Sequence, residues 1–371
     1  MGGVSELAAP GVRTLQPYQP GLPLEELARR YGVTDAVKLA SNENPLGPSP
    51  RVAEAVREVL PELARYPDGG GFRLKGALSG RLDLSPEMLT LGNGSNDVLE
   101  LAARAFVTAE DEVVYSQHAF AVYPLVTRAI GASGVEVPAR DWGHDLAAMR
   151  EAVTDRTRMV FVANPNNPTG TWSEAADLKA FVAAMPEHVI VVVDEAYREY
   201  AGHAEHGVAG YPDAAQWLAE HPNLVVTRTF SKAYGLAGLR VGYAISSPEV
   251  ADLMNRVRQP FNVNSAALAA AEAALADTEH LEKGIAVNAE GMAALTAGFE
   301  RLGLSYIPSA GNFVSVDVGR SADAVYERLL HHGVIVRPVG GAGMPNHLRI
   351  SVGLAEENRR CLEALEAVLA D

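Results

Sequence analysis

The stretch VIVVVDEAY, residues 189–197, decides the fold expected for this 371-residue chain. Its first five residues, 189–193, are all apolar and β-branched, and an acidic pair follows them. A continuous apolar run of this length predicts a strand buried on both faces, as in a parallel sheet covered by helices on both sides. Two runs of the same kind, MVFVA (159–163) and LVVT (224–227), lie before and after it. Together they predict an α/β fold with a mainly parallel sheet.

The pattern outside these runs predicts a second, smaller unit. Strands at residues 112–116 and 241–246 are expected to join the parallel set, with helices at 96–106, 121–130 and 175–184 between them. After about residue 260, strands at 313–318, 334–339 and 347–352 and helices at 265–302, 322–331 and 355–369 form a different pattern. We predict a large three-layer α/β/α domain over residues 41–264 and a smaller α+β domain over 265–371. Residues 1–40, with four prolines, are expected to be a mostly extended segment that packs on the small domain or on a neighbouring subunit.

Charge and composition narrow the range of partners and locations. The chain carries 31 Lys and Arg against 46 Asp and Glu, a net charge of −15, which disfavours nucleic acid and anionic membranes as partners. No run of 18 apolar residues is present, so no membrane span is expected. The single cysteine, Cys361, and the absence of an apolar signal core predict a cytoplasmic protein. We expect no metal site.

Polar clusters follow the predicted strands at the point where each strand ends. NPNNPTG (164–170), DEAY (194–197) and RTFSK (228–232) each follow an apolar run, and GNGSND (92–97) precedes a helical stretch. Ligands in open α/β sheets bind beyond the carboxyl ends of the strands. The sequence therefore predicts that these clusters meet at one edge of the sheet.

Two of the clusters allow both a structural and a functional interpretation. GNGSND (92–97) offers glycine backbone and free N–H groups at a helix start, which suits a phosphate. Alternatively, Ser95, Asn96 or Asp97 simply caps the helix. Asp194, at the end of an apolar strand, should be a buried carboxylate that needs a cation. An arginine partner or a helix cap is the structural alternative to a role in a site.

Lys232 gives the sharpest signal in this set. An amine beside a buried strand end has a lowered pKa and is a nucleophile toward aldehydes; the alternative is a lysine that extends to solvent. The combination of Lys232, Asp194, the glycine turn at 92–94 and the nearby Arg240 favours a site for pyridoxal 5'-phosphate. Such a site needs an imine-forming lysine, an acid for the ring nitrogen and a phosphate cradle.

The ordered motifs resemble a known family. NPNNPTG (164–170), DEAY (194–197) and TFSKAYGLAGLRVGY (229–243) resemble the fold-type I, class II aminotransferases. The wider set resembles the histidinol-phosphate aminotransferase family in the segments LASNENPLGPSP (39–50), YPDGGGFRLKGAL (66–78), LGNGSND (91–97), VIVRP (334–338) and LRISVG (348–353). The resemblance extends over residues 14 to 370. It implies transfer of an amino group between L-histidinol phosphate and 2-oxoglutarate in histidine biosynthesis.

The resemblance also implies which residues contact the cofactor ring. Lys232 would form the covalent bond with the aldehyde and then move the proton at the reacting carbon. Asp194 would pair with the ring nitrogen, so that the ring accepts negative charge. Asn167 and Tyr197 would hydrogen-bond the phenolic oxygen. On this basis Lys232, Asp194 and Tyr197 are the expected catalytic residues.

A second group would hold the phosphate of the cofactor. Ser95 and Asn96 match contacts at the helix start, and Ser231 and Arg240 complete the cradle. In the family a tyrosine from the neighbouring subunit also reaches this phosphate, and Tyr66 matches it. The resemblance therefore implies a homodimer with shared sites.

The expected substrates are small anions, an amino acid and a phosphorylated keto compound. Arg349 matches the arginine that binds the α-carboxylate, for which a planar guanidinium is suited; without the family, an exposed strand residue would be the simpler interpretation. Arg337 and Tyr18 match positions that contact the phosphate of the substrate.

One aromatic position departs from the family pattern. The ring that stacks on the cofactor is often a tyrosine, and Phe120 occupies the matching position, which preserves stacking but not the hydroxyl. Tyr123 could be a second aromatic wall, although a core residue is the simpler interpretation.

Three other functions fit the same scaffold. An aromatic-amino-acid aminotransferase is the nearest alternative, because a fold does not fix a substrate. A pyridoxal-phosphate decarboxylase or lyase fits less well, since Arg349 suits a carboxylate that is retained. A non-enzymatic pyridoxal-phosphate-binding protein would be expected to carry a DNA-binding extension, and neither terminus has that character.

Overall fold

The computed structural model describes residues 3–17 and 21–370. The strands are β1 (Val37–Lys38), β2 (Leu89–Gly92), β3 (Glu112–Ser116), β4 (Ser133–Val137), β5 (Thr157–Ala163), β6 (Ile190–Asp194), β7 (Leu224–Thr229), β8 (Gly242–Ser246), β9 (Tyr306–Ile307), β10 (Phe313–Asp317), β11 (Val334–Ile335), β12 (Arg337–Val339) and β13 (Met344–Ser351). The helices are α1 (Pro10–Arg13), α2 (Leu24–Tyr31), α3 (Pro50–Val59), α4 (Phe72–Leu82), α5 (Ser95–Phe106), α6 (Val122–Ile130), α7 (Leu146–Glu151), α8 (Ala175–Ala183), α9 (Arg198–Ala201), α10 (Pro248–Val257), α11 (Ser265–Ala276), α12 (Thr278–Arg301), α13 (Ala322–His331) and α14 (Ala355–Ala370).

A seven-stranded sheet in the order β2-β8-β7-β6-β5-β3-β4 forms the centre of the molecule. The five strands from β7 to β4 are parallel, whereas β8 runs antiparallel to both of its neighbours. Residues 241–246 were predicted to join the parallel set. An apolar run identifies a buried strand but carries no information about its direction, so the sequence could not reveal this reversal.

Each apolar strand contributes alternate residues to two cores. Val191 and Val193 pack in a cluster on one face, while Val192 packs in a second cluster on the other face. The period of two along a strand is the reason that one run of valines serves both faces. The α/β fold with a three-layer arrangement is confirmed, with a mainly parallel sheet between two layers of helices.

The C-terminal part of the chain builds a separate sheet with the order β12-β13-β10-β9. It has its own apolar core, to which α12, α13 and α14 contribute. The predicted strand at 334–339 is divided: β11 pairs with β1, and β12 pairs with β13. The short β1–β11 pair joins the N-terminal segment to this part of the molecule.

The N-terminal segment is more helical than the mostly extended chain that we expected. In α2, Glu26 accepts hydrogen bonds from Arg29 and Arg30, and Leu27 is buried against Leu330. These i,i+3 and i,i+4 ion pairs and one apolar face stabilise a short helix that proline content alone did not reveal. Across residues 3–17 and 21–370, no helix combines the length and the apolar character needed to cross a membrane.

Candidate active site

A cavity of about 610 Å³ lies at the carboxyl ends of β5, β6 and β7, between the large sheet and β12 and β13. It brings together most of the predicted site residues: Ser95, Asn96, Phe120, Asn167, Asp194, Tyr197, Ser231, Lys232, Arg240, Arg337 and Arg349. The strand-end clusters therefore meet, as their position in the sequence predicted. Tyr18 lies outside the described residues.

Lys232 lies in a turn after β7, with its side chain directed inward rather than to solvent. Its Nζ donates a hydrogen bond to the Ser41 carbonyl oxygen at 2.9 Å and lies 5.8 Å from the centre of the Tyr197 ring. Burial, assisted by the positive charge of Arg349, lowers the pKa of Lys232 from 10.5 to about 7. A substantial share of this amine is therefore unprotonated near neutral pH and available as a nucleophile.

Asp194 ends β6 in a buried position and has no cation as its partner among the described residues. Its Oδ2 accepts a hydrogen bond from the Tyr123 hydroxyl, and its Oδ1 accepts one from the Thr227 hydroxyl, both at 2.8 Å. Burial raises the pKa of Asp194, while these two hydrogen bonds oppose that rise. A buried carboxylate with two neutral donors is suited to a cation supplied by a ligand.

Arg228, a buried arginine on β7, pairs with Glu195, the residue next to Asp194, and not with Asp194. Arg228 is 1% exposed, and its Nε donates to Glu195 at 2.9 Å. Its Nη2 donates to Asp213 at 2.6 Å, and Arg198 also pairs with Asp213. This buried network fixes the ends of β6 and β7 and leaves Asp194 directed to the cavity.

The sequence did not predict the hydrogen bond between Tyr123 and Asp194. Tyr123 is a core residue, as expected, because its ring stacks on Phe161 with centroids 4.5 Å apart. Its hydroxyl, however, reaches Asp194. No local signal was available, because Asp194 lies 71 residues further along the chain. Phe120, which precedes α6, meets the Tyr123 ring edge to face with centroids 5.9 Å apart.

The start of α5 forms a compact basic recess. Gly94 precedes the helix with φ +82° and, as a glycine, offers no side-chain cap. Of the three side chains considered as alternative caps, Asp97 accepts a hydrogen bond from the Asn93 backbone N–H at 2.8 Å, just before the helix. A Cβ on Gly94 would lie 2.5 Å from an amino nitrogen of Arg240. The Arg240 side chain also lies 3.4 Å from the Ser231 hydroxyl. Free backbone N–H groups and one guanidinium are the elements that a phosphate requires.

Arg349 is partly buried and connects the two sheets, which excludes the exposed strand position considered above. Its Nη1 donates to the Asn167 side-chain oxygen at 2.6 Å and its Nη2 to the Ala40 carbonyl at 2.7 Å. Arg337 is its register partner on β12, so both side chains leave the same face of the small sheet. Lys232, Arg240, Arg337 and Arg349 give an acidic protein a locally cationic cavity.

Tyr197 and Tyr66 occupy very different surroundings. The Tyr197 hydroxyl accepts a hydrogen bond from the Asn42 side chain at 2.9 Å, a contact that the sequence did not reveal. Tyr66 does not belong to the cavity wall; it is 82% exposed and stacks on Phe261 with centroids 4.7 Å apart.

The fold and this site define a class of proteins. The model of the family "Aminotransferase class I and II" matches residues 34–365. A structure of histidinol-phosphate aminotransferase from Sinorhizobium meliloti in complex with pyridoxal-5'-phosphate superimposes with a TM-score of 0.89 at 33% identity, covering 97% of each chain. The chain belongs to the class I and II aminotransferase family.

Similar sequences narrow the family further. The chain is 59% identical over 366 residues to histidinol-phosphate aminotransferase 1 of Nitrosococcus oceani, covering 99% of this chain and 98% of that protein. It is 60% identical over 366 residues to histidinol-phosphate aminotransferase 2 of Pseudomonas aeruginosa, covering 98% of both. These similarities extend over both sheets and the cavity between them.

Proposed function

We propose that this protein is a pyridoxal-phosphate-dependent aminotransferase that exchanges the amino group of L-histidinol phosphate with 2-oxoglutarate, giving imidazole-acetol phosphate and L-glutamate. The observation that carries this proposal is the partly buried Lys232, with its lowered pKa, in one cavity with Asp194 and a basic recess. Full-length identity near 60% to histidinol-phosphate aminotransferases supports the substrate assignment.

The residues of the cavity fit pyridoxal 5'-phosphate at both ends. Ser95, Asn96, Ser231 and Arg240 would hold the phosphate, and Asp194 would receive the ring nitrogen. When bound, the cofactor supplies an aldehyde for the amino group and a ring that accepts negative charge. The chain itself supplies Lys232, whose amine would hold the cofactor through its aldehyde and would move the substrate proton.

The remaining cavity residues would orient the ring and keep it in place. Phe120 offers a face for stacking, and Asn167 and Tyr197 would direct hydrogen bonds at the phenolic oxygen. The Tyr123 hydroxyl holds one oxygen of Asp194 and would keep the carboxylate oriented toward the ring nitrogen.

Two arginines would bind the anionic ends of the substrates. Arg349 suits the α-carboxylate of glutamate, because its planar guanidinium matches a carboxylate. Arg337, with Tyr18, would receive the substrate phosphate. Hydrogen bonds to charged groups contribute about 1.5–3 kcal/mol, so Arg337→Ala should reduce kcat/KM for histidinol phosphate about 10- to 100-fold.

Steady-state turnover with histidinol phosphate and with phenylalanine tests this function. The wild type should favour histidinol phosphate, and Arg337→Ala should leave the rate with phenylalanine nearly unchanged. Preference of the wild type for phenylalanine would contradict the substrate assignment. Equal losses of kcat/KM on both substrates would contradict only the binding of the substrate phosphate by Arg337, and not the substrate assignment.

We also infer a cytoplasmic homodimer with shared sites and the division of the chain into segments 1–40, 41–264 and 265–371. Tyr66 is exposed and stacks on the exposed Phe261, which supports a subunit interface there. Leu63 and Phe72, near Tyr66 in sequence, are also exposed. The fully buried free thiol of Cys361 fits a reducing compartment.

A further inference from the structure

Asn42 joins the two sheets beside the cavity through four hydrogen bonds. Its Nδ2 donates to the Tyr197 hydroxyl at 2.9 Å, and its backbone N–H donates to Ser351 Oγ at 2.8 Å. Its Oδ1 accepts from Ser351 Oγ at 2.9 Å, and its carbonyl oxygen accepts from Asn312 at 3.0 Å. Asn42 is 1% exposed and has φ +55°, a backbone conformation that asparagine tolerates better than most residues.

The directions of these hydrogen bonds form a consistent chain. Ser351 receives the backbone N–H of Asn42 and gives its own proton to Asn42 Oδ1, so the Asn42 amide nitrogen faces Tyr197. A phenol has one proton and also accepts. Because the Tyr197 oxygen is the acceptor in this contact, its own proton is directed elsewhere.

We infer that Asn42 is a positioning residue that holds the Tyr197 hydroxyl as a donor toward the phenolic oxygen of pyridoxal phosphate and ties it to β13. The inference rests on the function proposed above. It assigns a role to a side chain that would act on the cofactor oxygen only through the Tyr197 hydroxyl.

The same strand carries the arginine for the substrate carboxylate. Arg349 and Ser351 are two residues apart on β13, so their side chains leave the same face. Ser351 anchors Asn42, and Arg349 donates to Asn167. Both side chains expected at the phenolic oxygen, Tyr197 and Asn167, are therefore linked to β13.

The substitution Asn42→Gly removes the amide and leaves the backbone undisturbed, because glycine adopts positive φ freely. A donor at the phenolic oxygen stabilises its negative charge and so lowers the pH at which the bound chromophore loses its proton. In the holoenzyme we expect Asn42→Gly to raise the midpoint of the visible absorbance titration by about one pH unit. The dissociation constant for pyridoxal phosphate, measured on cofactor-free protein, should rise about tenfold.

A matched control and a double variant separate positioning from loss of packing. Asn44 is a buried neighbour whose amide donates to the Ala233 carbonyl at 2.8 Å, so Asn44→Ala should leave the midpoint within about 0.3 units. In a Tyr197→Phe background, Asn42→Gly should add less than about 0.3 units, since the hydroxyl that it positions is gone.

Two results would overturn the role of Asn42: an unchanged midpoint in Asn42→Gly, or an equal shift with and without the Tyr197 hydroxyl. If Asn42→Gly does not fold, Ser351→Ala takes its place and should shift the midpoint in the same direction by a smaller amount; no shift there would overturn the role as well. A wild type that develops no visible absorbance with pyridoxal phosphate would refute the proposed function itself.

Discussion

At the scale of single residues, the cavity depends on groups whose charge the protein disfavours. The protonated form of Lys232 is disfavoured, because burial removes water from its amine and the positive charge of Arg349 repels it. Asp194 is held by neutral donors and has a raised pKa. In the proposed function, Lys232 would react with an aldehyde and Asp194 would pair with a protonated ring nitrogen.

The lowered pKa of Lys232 has a consequence for stability. In the cofactor-free protein the unfolded chain binds a proton at Lys232 up to pH 10.5, whereas the folded chain releases it near pH 7. Stability therefore rises with pH across that window, and the penalty of burying Lys232 is largest at and below pH 7. We expect Lys232→Met to be more stable than the wild type at pH 7, with a margin that shrinks by about 1 kcal/mol per pH unit toward pH 9.

Urea unfolding of both cofactor-free proteins at several pH values measures this margin. Lys179→Met, which removes a lysine from an exposed pair with Glu220, controls for the loss of a surface charge. If the stability difference between Lys232→Met and the wild type stays constant from pH 7 to pH 9, the pKa of the Lys232 amine is not lowered.

The hydrogen bond from Tyr123 to Asp194 gives a second prediction. Tyr123→Phe keeps the ring on Phe161 but removes one donor, which should cost about 1 kcal/mol of stability and lower kcat about tenfold. Thr227→Val should act in the same direction at the other oxygen. Tyr243→Phe, at a buried tyrosine beside Arg228 instead, should leave kcat within about twofold; a loss as large as that of Tyr123→Phe would argue against a specific role.

At the scale of elements, the ends of β5, β6 and β7 determine where the chemistry is placed. The apolar runs identified these strands, and the polar residues directly after them identified the cavity edge. Asn42, Tyr123 and Thr227 escaped prediction for one physical reason. Each meets its partner through contacts between residues distant in sequence, and no local pattern encodes such a contact.

The direction of β8 and the helix α2 escaped prediction for different reasons. Apolar content does not distinguish parallel from antiparallel strands. The four prolines of residues 1–40 led us to expect an extended segment. The short amphipathic helix α2 is instead indicated by its i,i+3 and i,i+4 ion pairs, which the proline content does not reveal. The order of the motifs, in contrast, was enough to predict the layers and to name eleven of the residues that line the cavity.

The buried network at the ends of β6 and β7 should contribute strongly to stability. Arg228→Met would leave the fully buried Glu195 with only the more distant Arg198, at 3.7 Å, as a cationic partner. The loss of the closer partner should cost about 3 kcal/mol of unfolding free energy. Arg301→Met, in a pair with Glu366 in which both side chains are exposed, should cost at most about 1 kcal/mol. Urea titration of the two variants compares them, and similar small losses would contradict a structural role for Arg228.

At the scale of the whole molecule, the cavity is built from both sheets. In the proposed homodimer, the neighbouring subunit would also contribute a residue to it. Tyr66, exposed beside Phe261, belongs to the surface that would reach the partner's cavity. Light scattering should give twice the mass of the chain. A monomer at working concentrations would contradict the shared site.

Hybrid dimers test the exchange of Tyr66 directly. Lys232→Ala should be inactive alone, and Tyr66→Ala should bind the cofactor weakly. If Tyr66 contributes to the partner's site, a hybrid dimer has both defects in one site and leaves the other site intact. In an equal mixture that exchanges subunits, half of the dimers are hybrids. The mixture should therefore recover about a quarter of wild-type activity. Activity equal to the sum of the separate variants would show that Tyr66 acts within its own chain.

The most direct test of the whole account is the site of covalent attachment. Holoenzyme is treated with borohydride, which fixes the bound pyridoxal phosphate to the amine that holds it, and the digested protein is analysed by mass spectrometry. We expect the added mass on the peptide that contains Lys232, and on no other lysine. An unmodified Lys232 after saturation with the cofactor, or the added mass on a different lysine, would contradict the account.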